Sequence, residues 1–424
     1  MPLTDKIKML EPKRLPLTPN YPPFRQWKKY AVEEMLMDKP LNIYVHIPFC
    51  TQRCDFCYYK TVDLKERPKV EEYVAALCKE IEIATKRFHL QKRQVTSIYF
   101  GGGTPTLLTE HHFERLVECL HKNFKIDSVQ FTVEAEPLTV SESKMNILSK
   151  LGVSRVSLGV QSFCDPIIKL SGRGHDEKQA FRAIEIARET GDWSVNIDLL
   201  SGLTGETLET WARSMECALA TGVESITVYK MEAFSNTQVY QLGVREETLE
   251  LPSYEQELKF MQYAMEQFEK VNYQPYCFFT FTKNGHYVNH YNKSIFESTD
   301  LYGFGASAYG VLGDTLLQNT IDIEKYTATV EAGEIPLVRG HRLNSLDKMM
   351  REVLLGMKLL RLNLKDFQKR HGFKLDSLCA TTLEQLERQE FISCSENEIE
   401  LTAKGILYGD YVGQTLVNCL KLMS

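Results

Sequence analysis

Short apolar runs alternate with amphipathic stretches from Leu41 onward, and this alternation restricts the fold more than any other feature of the sequence. Three of the amphipathic stretches, Val70–Phe88, Glu110–Asn123 and Glu177–Thr190, carry apolar residues at helical spacing. The strand candidates are Leu41–His46, Thr96–Phe100, Val129–Val133, Arg155–Val160, Val195–Leu200 and Ser225–Val228. Strands that alternate with helices form parallel βα units. The sequence therefore predicts an α/β fold whose strands close partly or fully into a (β/α) barrel.

The chain divides into segments of different character. Residues 1–40 are rich in proline, which interrupts regular elements, and contain one candidate helix at Trp27–Met37, so we expect an N-terminal arm. Residues 41–270 form the predicted barrel core. Residues 271–344 have a looser, aromatic-rich pattern, and we expect them to complete the barrel on the substrate side.

The C-terminal segment, 345–424, has a pattern of its own. Helical stretches are followed by two short apolar runs, Phe391–Cys394 and Ile399–Thr402, with a charged turn between them. Two helices and a hairpin predict a winged-helix-like α+β module. Its surface is not basic enough to indicate DNA binding.

Charge and cysteine content limit the partners and the compartment. Fifty Lys and Arg against 56 Asp and Glu give a net charge of -6, without the basic clusters that nucleic-acid binding requires. We expect neither a nucleic-acid nor a membrane partner, because no apolar run approaches the length of a membrane span. Eleven cysteines are an odd set for disulfide pairing, and clustered cysteines in a reducing cytosol bind metals or catalyse. The chain is therefore expected to be cytoplasmic.

Three of the cysteines, Cys50, Cys54 and Cys57, lie within eight residues just after the first predicted strand. Thiolates are the usual ligands of iron–sulfur clusters, and four would normally complete the coordination. Three ligands leave one iron open for chemistry with a substrate. A zinc site with a distant fourth ligand, such as His46, or three unrelated buried thiols would produce the same spacing.

Further polar and glycine residues follow the predicted strands. Gly101–Gly103 follow one strand and permit close approach of a ligand to the backbone, although a tight turn would use the same residues. Glu134 and Asp198 lie near the ends of two strands and Arg173 follows a third. The carboxyl ends of barrel strands carry active sites, and these charges suit a zwitterionic ligand. Each of the three could instead belong to a surface ion pair.

The spacing CxxxCxxC, with the aromatic Phe56 before the last cysteine, resembles the signature of the radical S-adenosylmethionine (SAM) superfamily. The string from Tyr44 to Cys50, YVHIPFC, is similar to that of the HemN-like subfamily, named after oxygen-independent coproporphyrinogen III oxidase. The resemblance continues through Gly101-Gly102-Gly103-Thr104-Pro105, Glu134-Ala-Glu136-Pro137, Ser157-Leu-Gly-Val-Gln161-Ser-Phe163, Gly172-Arg173, Asn196-Ile-Asp198-Leu and Gly303-Phe-Gly305-Ala-Ser-Ala308. It covers nearly the whole chain from Leu41.

This resemblance implies a [4Fe–4S] cluster on Cys50, Cys54 and Cys57 and the reductive cleavage of SAM, of which one or two molecules would bind. It makes Tyr44 the tyrosine near the sulfonium and Phe56 the aromatic beside the adenine. The other implied cofactor contacts are Gly101, Gly102, Gly103, Thr104, Glu134, Gln161, Arg173, Asp198, Ala308 and Tyr309. An electron donor such as flavodoxin or ferredoxin and a small-molecule substrate are the implied partners.

The resemblance leaves three activities of this subfamily as candidates for the chain. A haem chaperone typically begins almost at the cluster motif, whereas this chain has some forty residues before it. The oxidase continues its motif with a glycine and a cysteine, whereas Tyr58 and Tyr59 follow Cys57 here. Its substrate would also need cations for its propionates, for which the sequence offers Arg25, Lys28 and Lys29 as candidates. The sequence favours the third member, an enzyme that transfers a methyl-derived carbon to a small aromatic or natural-product substrate by methylation or cyclopropanation.

The aromatic segment Tyr276–Phe281, with Tyr287 and Tyr291, is the candidate wall of a flat apolar substrate pocket. Packing in the core explains the same rings equally well. The eight cysteines outside the motif, including Cys164 and Cys277, are predicted to be dispensable for the cluster.

Overall fold

The computed structural model describes residues 20–29, 39–63 and 68–422. The strands are β1 (Leu41–Ile47), β2 (Phe49–Cys50), β3 (Val62–Asp63), β4 (Val95–Gly102), β5 (Gln130–Ala135), β6 (Arg155–Gln161), β7 (Ser194–Ser201), β8 (Ser225–Lys230), β9 (Tyr273–Cys277), β10 (Thr280–Lys283), β11 (Asp300–Phe304), β12 (Tyr309–Leu312), β13 (Thr315–Asn319), β14 (Leu337–Arg342), β15 (Arg361–Asn363), β16 (Ile392–Cys394) and β17 (Glu398–Leu401). The helices are α1 (Pro68–Arg87), α2 (Glu110–Asn123), α3 (Glu142–Lys150), α4 (Asp165–Leu170), α5 (Glu177–Thr190), α6 (Leu208–Ala220), α7 (Gln238–Tyr240), α8 (Tyr254–Lys270), α9 (His290–Phe296), α10 (Ile323–Glu331), α11 (Ser345–Gly356), α12 (Leu364–His371), α13 (Leu375–Leu378), α14 (Ala380–Arg388), α15 (Ala403–Tyr408) and α16 (Tyr411–Lys421). The predicted helix Trp27–Met37 lies largely outside the described residues.

A sheet of twelve strands forms the body, in the order β14-β13-β12-β11-β1-β4-β5-β6-β7-β8-β10-β9. The central strands from β11 to β8 run parallel to one another, whereas the strands at both edges are antiparallel to their neighbours. In the described part of the chain the two edge strands, β14 and β9, are not paired with each other, so the barrel stays open. The predicted α/β fold with a partial barrel is confirmed, and the segment 271–344 supplies six strands of the same sheet.

The two faces of the sheet differ because successive residues of a strand point to opposite sides. On β1, Ile43 and Val45 are buried in the main hydrophobic core, which also contains apolar residues of α1, α2, α5 and α6. The other face is polar, and side chains of neighbouring strands are hydrogen-bonded across it. Asn196 on β7 donates to the hydroxyl of Ser157 on β6 (3.0 Å) and accepts from Ser225 on β8 (2.8 Å). This polar face is where the site residues lie.

Capping residues determine where the crossover helices begin. Thr109 before α2 and Asp176 before α5 each accept a hydrogen bond from the backbone N–H of the third helical residue. The side chain of that residue accepts from the backbone of the cap in return. Such capping boxes satisfy N–H groups that a helix leaves free at its start, and α2 and α5 have the predicted boundaries.

The C-terminal module contains the predicted hairpin, formed by β16 and β17, and an unpredicted third strand, β15, which pairs with β17. A strand of three residues is too short to show a periodic pattern. The module is attached to the barrel by buried polar contacts. The carbonyl of Lys358, whose ammonium pairs with Asp410 inside the module, accepts from the N–H of Phe278 (2.9 Å). Lys230 at the end of β8 donates to the carbonyl of Leu407 (2.9 Å).

Within residues 20–29, 39–63 and 68–422, no helix combines the length and the apolar character needed to cross a bilayer.

Candidate active site

The three clustered cysteines lie on β2 and the loop after it, at the carboxyl end of β1. The N–H of Cys57 donates to the carbonyl of Cys54 (3.0 Å), which closes a tight turn. The hydroxyl of Thr104 lies 3.6 Å from the Cys50 sulfur, and Nη1 of Arg173 lies 3.5 Å from the Cys54 sulfur. The loop is therefore held against the ends of β4 and β6, where the other predicted site residues lie.

The chemistry of these thiols fits an iron–sulfur cluster. Burial raises the pKa of all three, that of Cys50 to about 12, so the thiolate form needs nearby positive charge. A bound metal supplies such charge and deprotonates its thiol ligands. Three thiols on one loop suit an iron–sulfur cluster, which is larger than a single metal ion.

His46 fills a structural position beside this loop. Its Nδ1 lies 3.0 Å from the hydroxyl of Tyr44, and burial lowers its pKa to about 4, so the ring is neutral. Gly102 packs directly on the ring and has a φ of 117°, and a Cβ there would come within 2.5 Å of it. Only glycine fits this position, which gives the glycine segment a role in close packing.

Glu134 is partly buried at the end of β5 and holds the glycine segment in place. Its Oε1 accepts from the hydroxyl of Tyr99 (2.7 Å) and its Oε2 accepts from the N–H of Gly102 (2.9 Å). A Cβ on Gly101 would come within 2.9 Å of the same carboxylate. Burial raises the pKa of Glu134 to about 7. The residue is not part of a surface ion pair, which was the alternative for it.

Arg173 is also buried. Its Nη2 donates to the carbonyl of Gly159 on β6 (2.6 Å) and lies 3.4 Å from a carboxylate oxygen of Glu136. Gln161 lies nearby at the end of β6, where the pairing with β7 shifts by one residue. It adopts a φ of 69°, which is costly for a residue other than glycine. Such strain is concentrated at functional sites.

Asp198 on β7 and Phe56 on the cysteine loop lie on either side of this region. The carboxylate of Asp198 accepts from Ser157 (3.1 Å) and Asn196 (2.9 Å), and burial raises its pKa. Phe56 packs on an apolar cluster that includes Leu200 at the end of β7. A carboxylate and an aromatic ring at one strand end suit a ribose and a base.

Tyr44 lies in a stack of aromatic rings. Its ring is stacked with Tyr99 and Tyr291 at centroid distances of 6.0 and 5.8 Å, and Tyr99 and Tyr291 are 4.4 Å apart. Burial is the largest cause that raises the pKa of Tyr44. The charges of Glu134 and of neighbouring tyrosines, among them Tyr309, raise it further. These phenols are therefore neutral, and they form a flat wall beside the glycine segment.

A buried carboxylate positions the turn that leads to Ala308 and Tyr309. Glu80 on α1 accepts from the N–H of Gly305 (2.8 Å), from Asn319 (2.8 Å) and from the hydroxyl of Tyr326 (2.6 Å). The sequence pattern assigned Glu80 to an amphipathic helix and gave no signal of this role.

Comparisons with known proteins agree with this geometry. A model described as "Radical SAM superfamily" matches residues 44–218, and one described as "HemN C-terminal domain" matches residues 343–408. "Heme chaperone HemW" of Bacillus subtilis is 32% identical over 374 residues, which are 88% of this chain and 97% of that protein.

The chain belongs to the HemN-like subfamily of the radical SAM superfamily.

Two further relatives extend the comparison. "Oxygen-independent coproporphyrinogen III oxidase" of Pseudomonas aeruginosa is 30% identical over 383 residues, 87% of this chain and 82% of that protein. The solved structure "Coproporphyrinogen III oxidase (HemN) from Escherichia coli is a Radical SAM enzyme" superimposes with a TM-score of 0.82 at 25% identity and covers 96% of this chain and 97% of that one.

As a radical SAM protein, this HemN-like chain uses a [4Fe–4S] cluster and SAM. The cluster, when bound at Cys50, Cys54 and Cys57, supplies the electron that cleaves SAM. The structure brings the residues assigned to SAM together around the carboxyl ends of β1, β4, β5, β6 and β7 and the turn before β12. Their individual contacts with SAM stay predictions.

The HemN-like protein also carries an aromatic rim, formed by Tyr58, Tyr59 and Phe234. All three are exposed, and the Tyr58 ring lies 4.3 Å from Tyr59 and 4.6 Å from Phe234. The Tyr59 ring lies 6.2 Å from His46, so the rim adjoins the tyrosine stack. Asn236 donates to the carbonyl of Tyr58 (2.7 Å) and holds the rim in place.

Some rings of the predicted aromatic pocket wall lie at the candidate site, and others pack in the core. Tyr291 joins the tyrosine stack, whereas Phe281 stacks on Phe268 of α8 at 4.2 Å and belongs to the core. Phe278 and Phe279 are buried beside the C-terminal module. The basic candidates Arg25, Lys28 and Lys29 are exposed.

Proposed function

We propose that this protein cleaves SAM reductively to a 5′-deoxyadenosyl radical and uses it on a flat, tetrapyrrole-like substrate. The observation that carries the proposal is the continuous aromatic surface beside the cysteine loop. It comprises the stack of Tyr44, Tyr99 and Tyr291 and the rim of Tyr58, Tyr59 and Phe234. Pockets for flat ligands are mostly aromatic with few polar anchors. Haem and coproporphyrinogen, in the names of the relatives, are both tetrapyrroles.

The reaction we propose is the transfer of a methyl-derived carbon, with a second SAM molecule as the carbon source. The supporting observation is the continuation of the cysteine motif by Tyr58 and Tyr59, which enlarge the aromatic surface next to Cys57. An electron donor such as flavodoxin or ferredoxin would reduce the cluster.

Oxidative decarboxylation is the second candidate reaction, and the relatives named as oxygen-independent coproporphyrinogen III oxidases favour it. Haem carriage without turnover is the third, and the relative named as a haem chaperone favours it.

Product analysis separates the three. The reconstituted protein is incubated anaerobically with methyl-deuterated SAM, dithionite and either haem or coproporphyrinogen III. Carbon transfer predicts 5′-deoxyadenosine, S-adenosylhomocysteine and deuterium in the tetrapyrrole. Release of carbon dioxide without label transfer would establish decarboxylation instead. Stable haem binding with negligible SAM cleavage would establish the carrier.

A further inference from the structure

Arg155 is a buried cation whose Nη1 has no hydrogen-bond acceptor among the residues that the structure describes. It is the first residue of β6, and its side chain faces the polar side of the sheet with Ser157. Only 4% of the residue is exposed, and its Nη1 is shut off from solvent without a hydrogen-bond acceptor. No ion pair within 4.0 Å involves Arg155 among the described residues.

The other buried cations of the described chain differ in this respect. Arg93 pairs with Asp300, Lys358 pairs with Asp410, Lys144 donates to the carbonyl of Leu108, and Arg351 donates to the carbonyl of Tyr21. An uncompensated buried charge is costly, so it persists where it serves a ligand or a reaction. Within the described ranges, Lys144 and Arg351 have no carboxylate partner either, but both donate to carbonyl oxygens, whereas the Nη1 of Arg155 has no acceptor, so Arg155 can bind an anion.

The surroundings of Arg155 form the interior of the open barrel. Thr132 on β5 is its partner in strand register, and the hydroxyl of Thr132 is also buried without a hydrogen-bond partner. Burial raises the pKa values of the nearby tyrosines Tyr99, Tyr229 and Tyr276, and the charge of Arg155 opposes that rise. Aromatic rings and two unsatisfied polar groups thus face one space.

The charge of Arg155 lowers the pKa values of Asp198 and Glu134 against the effect of burial, but neither carboxylate accepts a hydrogen bond from it. Asp198 accepts from Ser157 and Asn196, and Glu134 accepts from Tyr99 and Gly102. Neither lies within ion-pair distance of Arg155 in the structure.

The strand register shows how far Arg155 lies from the level of Glu134 along β6. Glu134 is paired with Ser157, two residues along β6 from Arg155. This spacing corresponds to about 7 Å along the strand. A substrate whose reacting carbon lies at the level of Glu134 can therefore reach Arg155 with a short side chain.

From this geometry we infer that Arg155 binds a carboxylate of the substrate, with the hydroxyl of Thr132 as a second contact. This inference rests on the proposed function, since it concerns the substrate of the same site. A planar guanidinium holds a carboxylate through two parallel hydrogen bonds, which lysine cannot reproduce. The sequence offered Arg25, Lys28 and Lys29 for this task, whereas the structure assigns it to the buried Arg155.

The test compares the reconstituted full-length protein with Arg155→Met and Arg155→Lys, with Arg182→Met on the exposed face of α5 as the control. Binding of coproporphyrin III and of its tetramethyl ester, which lacks free carboxylates, is titrated by absorbance. Arg155→Met is expected to weaken coproporphyrin III binding at least tenfold and to leave ester binding unchanged. Arg155→Lys should restore only part of the affinity.

Thermal unfolding without ligand gives an independent readout. Because its Nη1 has no acceptor and no carboxylate of the described residues lies within ion-pair distance, Arg155→Met should unfold at the wild-type temperature or above it. Equal loss of affinity for both porphyrins together with a lower unfolding temperature would show that Arg155 is structural, and unchanged affinity would also overturn the inference. If the wild type binds neither porphyrin, the tetrapyrrole substrate is rejected. A lower unfolding temperature of Arg155→Met would then also reject the anion site, and an equal or higher one would support it.

Discussion

Arg173 joins the cysteine loop to the strand ends, because it contacts the Cys54 sulfur, the Gly159 carbonyl and the Glu136 carboxylate at once. We expect Arg173→Ala to weaken SAM binding more than tenfold, since loss of one partner from a buried charged hydrogen bond costs about 2–5 kcal/mol. Equilibrium dialysis with labelled SAM measures the change, and iron content checks that the cluster is retained. Arg182→Ala on the exposed face of α5 is the control. Wild-type affinity in Arg173→Ala would show that the residue serves the loop alone.

Glu134 should make SAM binding depend on pH. Its pKa is raised to about 7 by burial, and only its carboxylate form attracts the amino group of SAM. Affinity should therefore rise from pH 6 to pH 7.5, by up to about tenfold per unit below the pKa. Because the pKa of Glu134 is higher in the folded than in the unfolded chain, protonated Glu134 stabilises the folded state. This contribution to stability is lost as the pH rises through 7. Glu134→Gln should flatten the binding profile, and a wild-type profile in that variant would assign the pH dependence to another group.

The sequence predicted part of this site and missed the rest for identifiable reasons. Cys50, Cys54 and Cys57 follow one another on one loop, so their spacing alone brings them together. Glu80 acts through contacts with distant segments, and Arg155 through an Nη1 that has no acceptor. Neither property leaves a trace in local sequence, although Arg155 lies inside a predicted strand.

At the scale of elements, the βα repeats were predictable and the edges of the sheet were not. The parallel strands carry continuous apolar runs on the side that faces the helices, and capping residues fix the helix starts. Strands β9 to β14 contain interrupted patterns because the polar residues of 271–344 bond to distant parts of the fold. Asn319 on β13, for example, donates to the carboxylate of Glu80 on α1 (2.8 Å).

The buried Lys358–Asp410 pair lies inside the C-terminal module and holds the segment whose Lys358 contacts Phe278 of the barrel. Asp410→Asn leaves the ammonium without its counter-charge, and we expect the free energy of unfolding to fall by about 3–5 kcal/mol. Urea denaturation measures the loss. The exposed pair Lys348–Asp314 offers a matched control, and Asp314→Asn should cost less than about 1 kcal/mol. Equal effects of the two substitutions would mean that the buried pair does not secure the module.

At the scale of the whole molecule, the open barrel and the C-terminal module share one hydrophobic core. Core residues of the module, such as Phe391 and Leu416, belong to the same cluster as Val45 of β1 and Trp211 of α6. The module therefore packs against the open barrel beside β8 and the β9–β10 hairpin. Its winged-helix-like form was predictable from the helices and the hairpin, whereas its place against the barrel depends on contacts between distant residues.

The central claim, that this protein is a radical SAM enzyme, is tested most directly by SAM cleavage. Wild-type protein and the Cys50→Ala/Cys54→Ala/Cys57→Ala variant are reconstituted anaerobically and incubated with SAM and dithionite, with Cys164→Ala as the control. The account predicts 5′-deoxyadenosine from the wild type and from Cys164→Ala, and none from the triple variant, which also loses iron, sulfide and the thiolate-to-iron absorption. Wild-type levels of iron and 5′-deoxyadenosine in the triple variant, or no 5′-deoxyadenosine from a fully loaded wild-type protein, would contradict it.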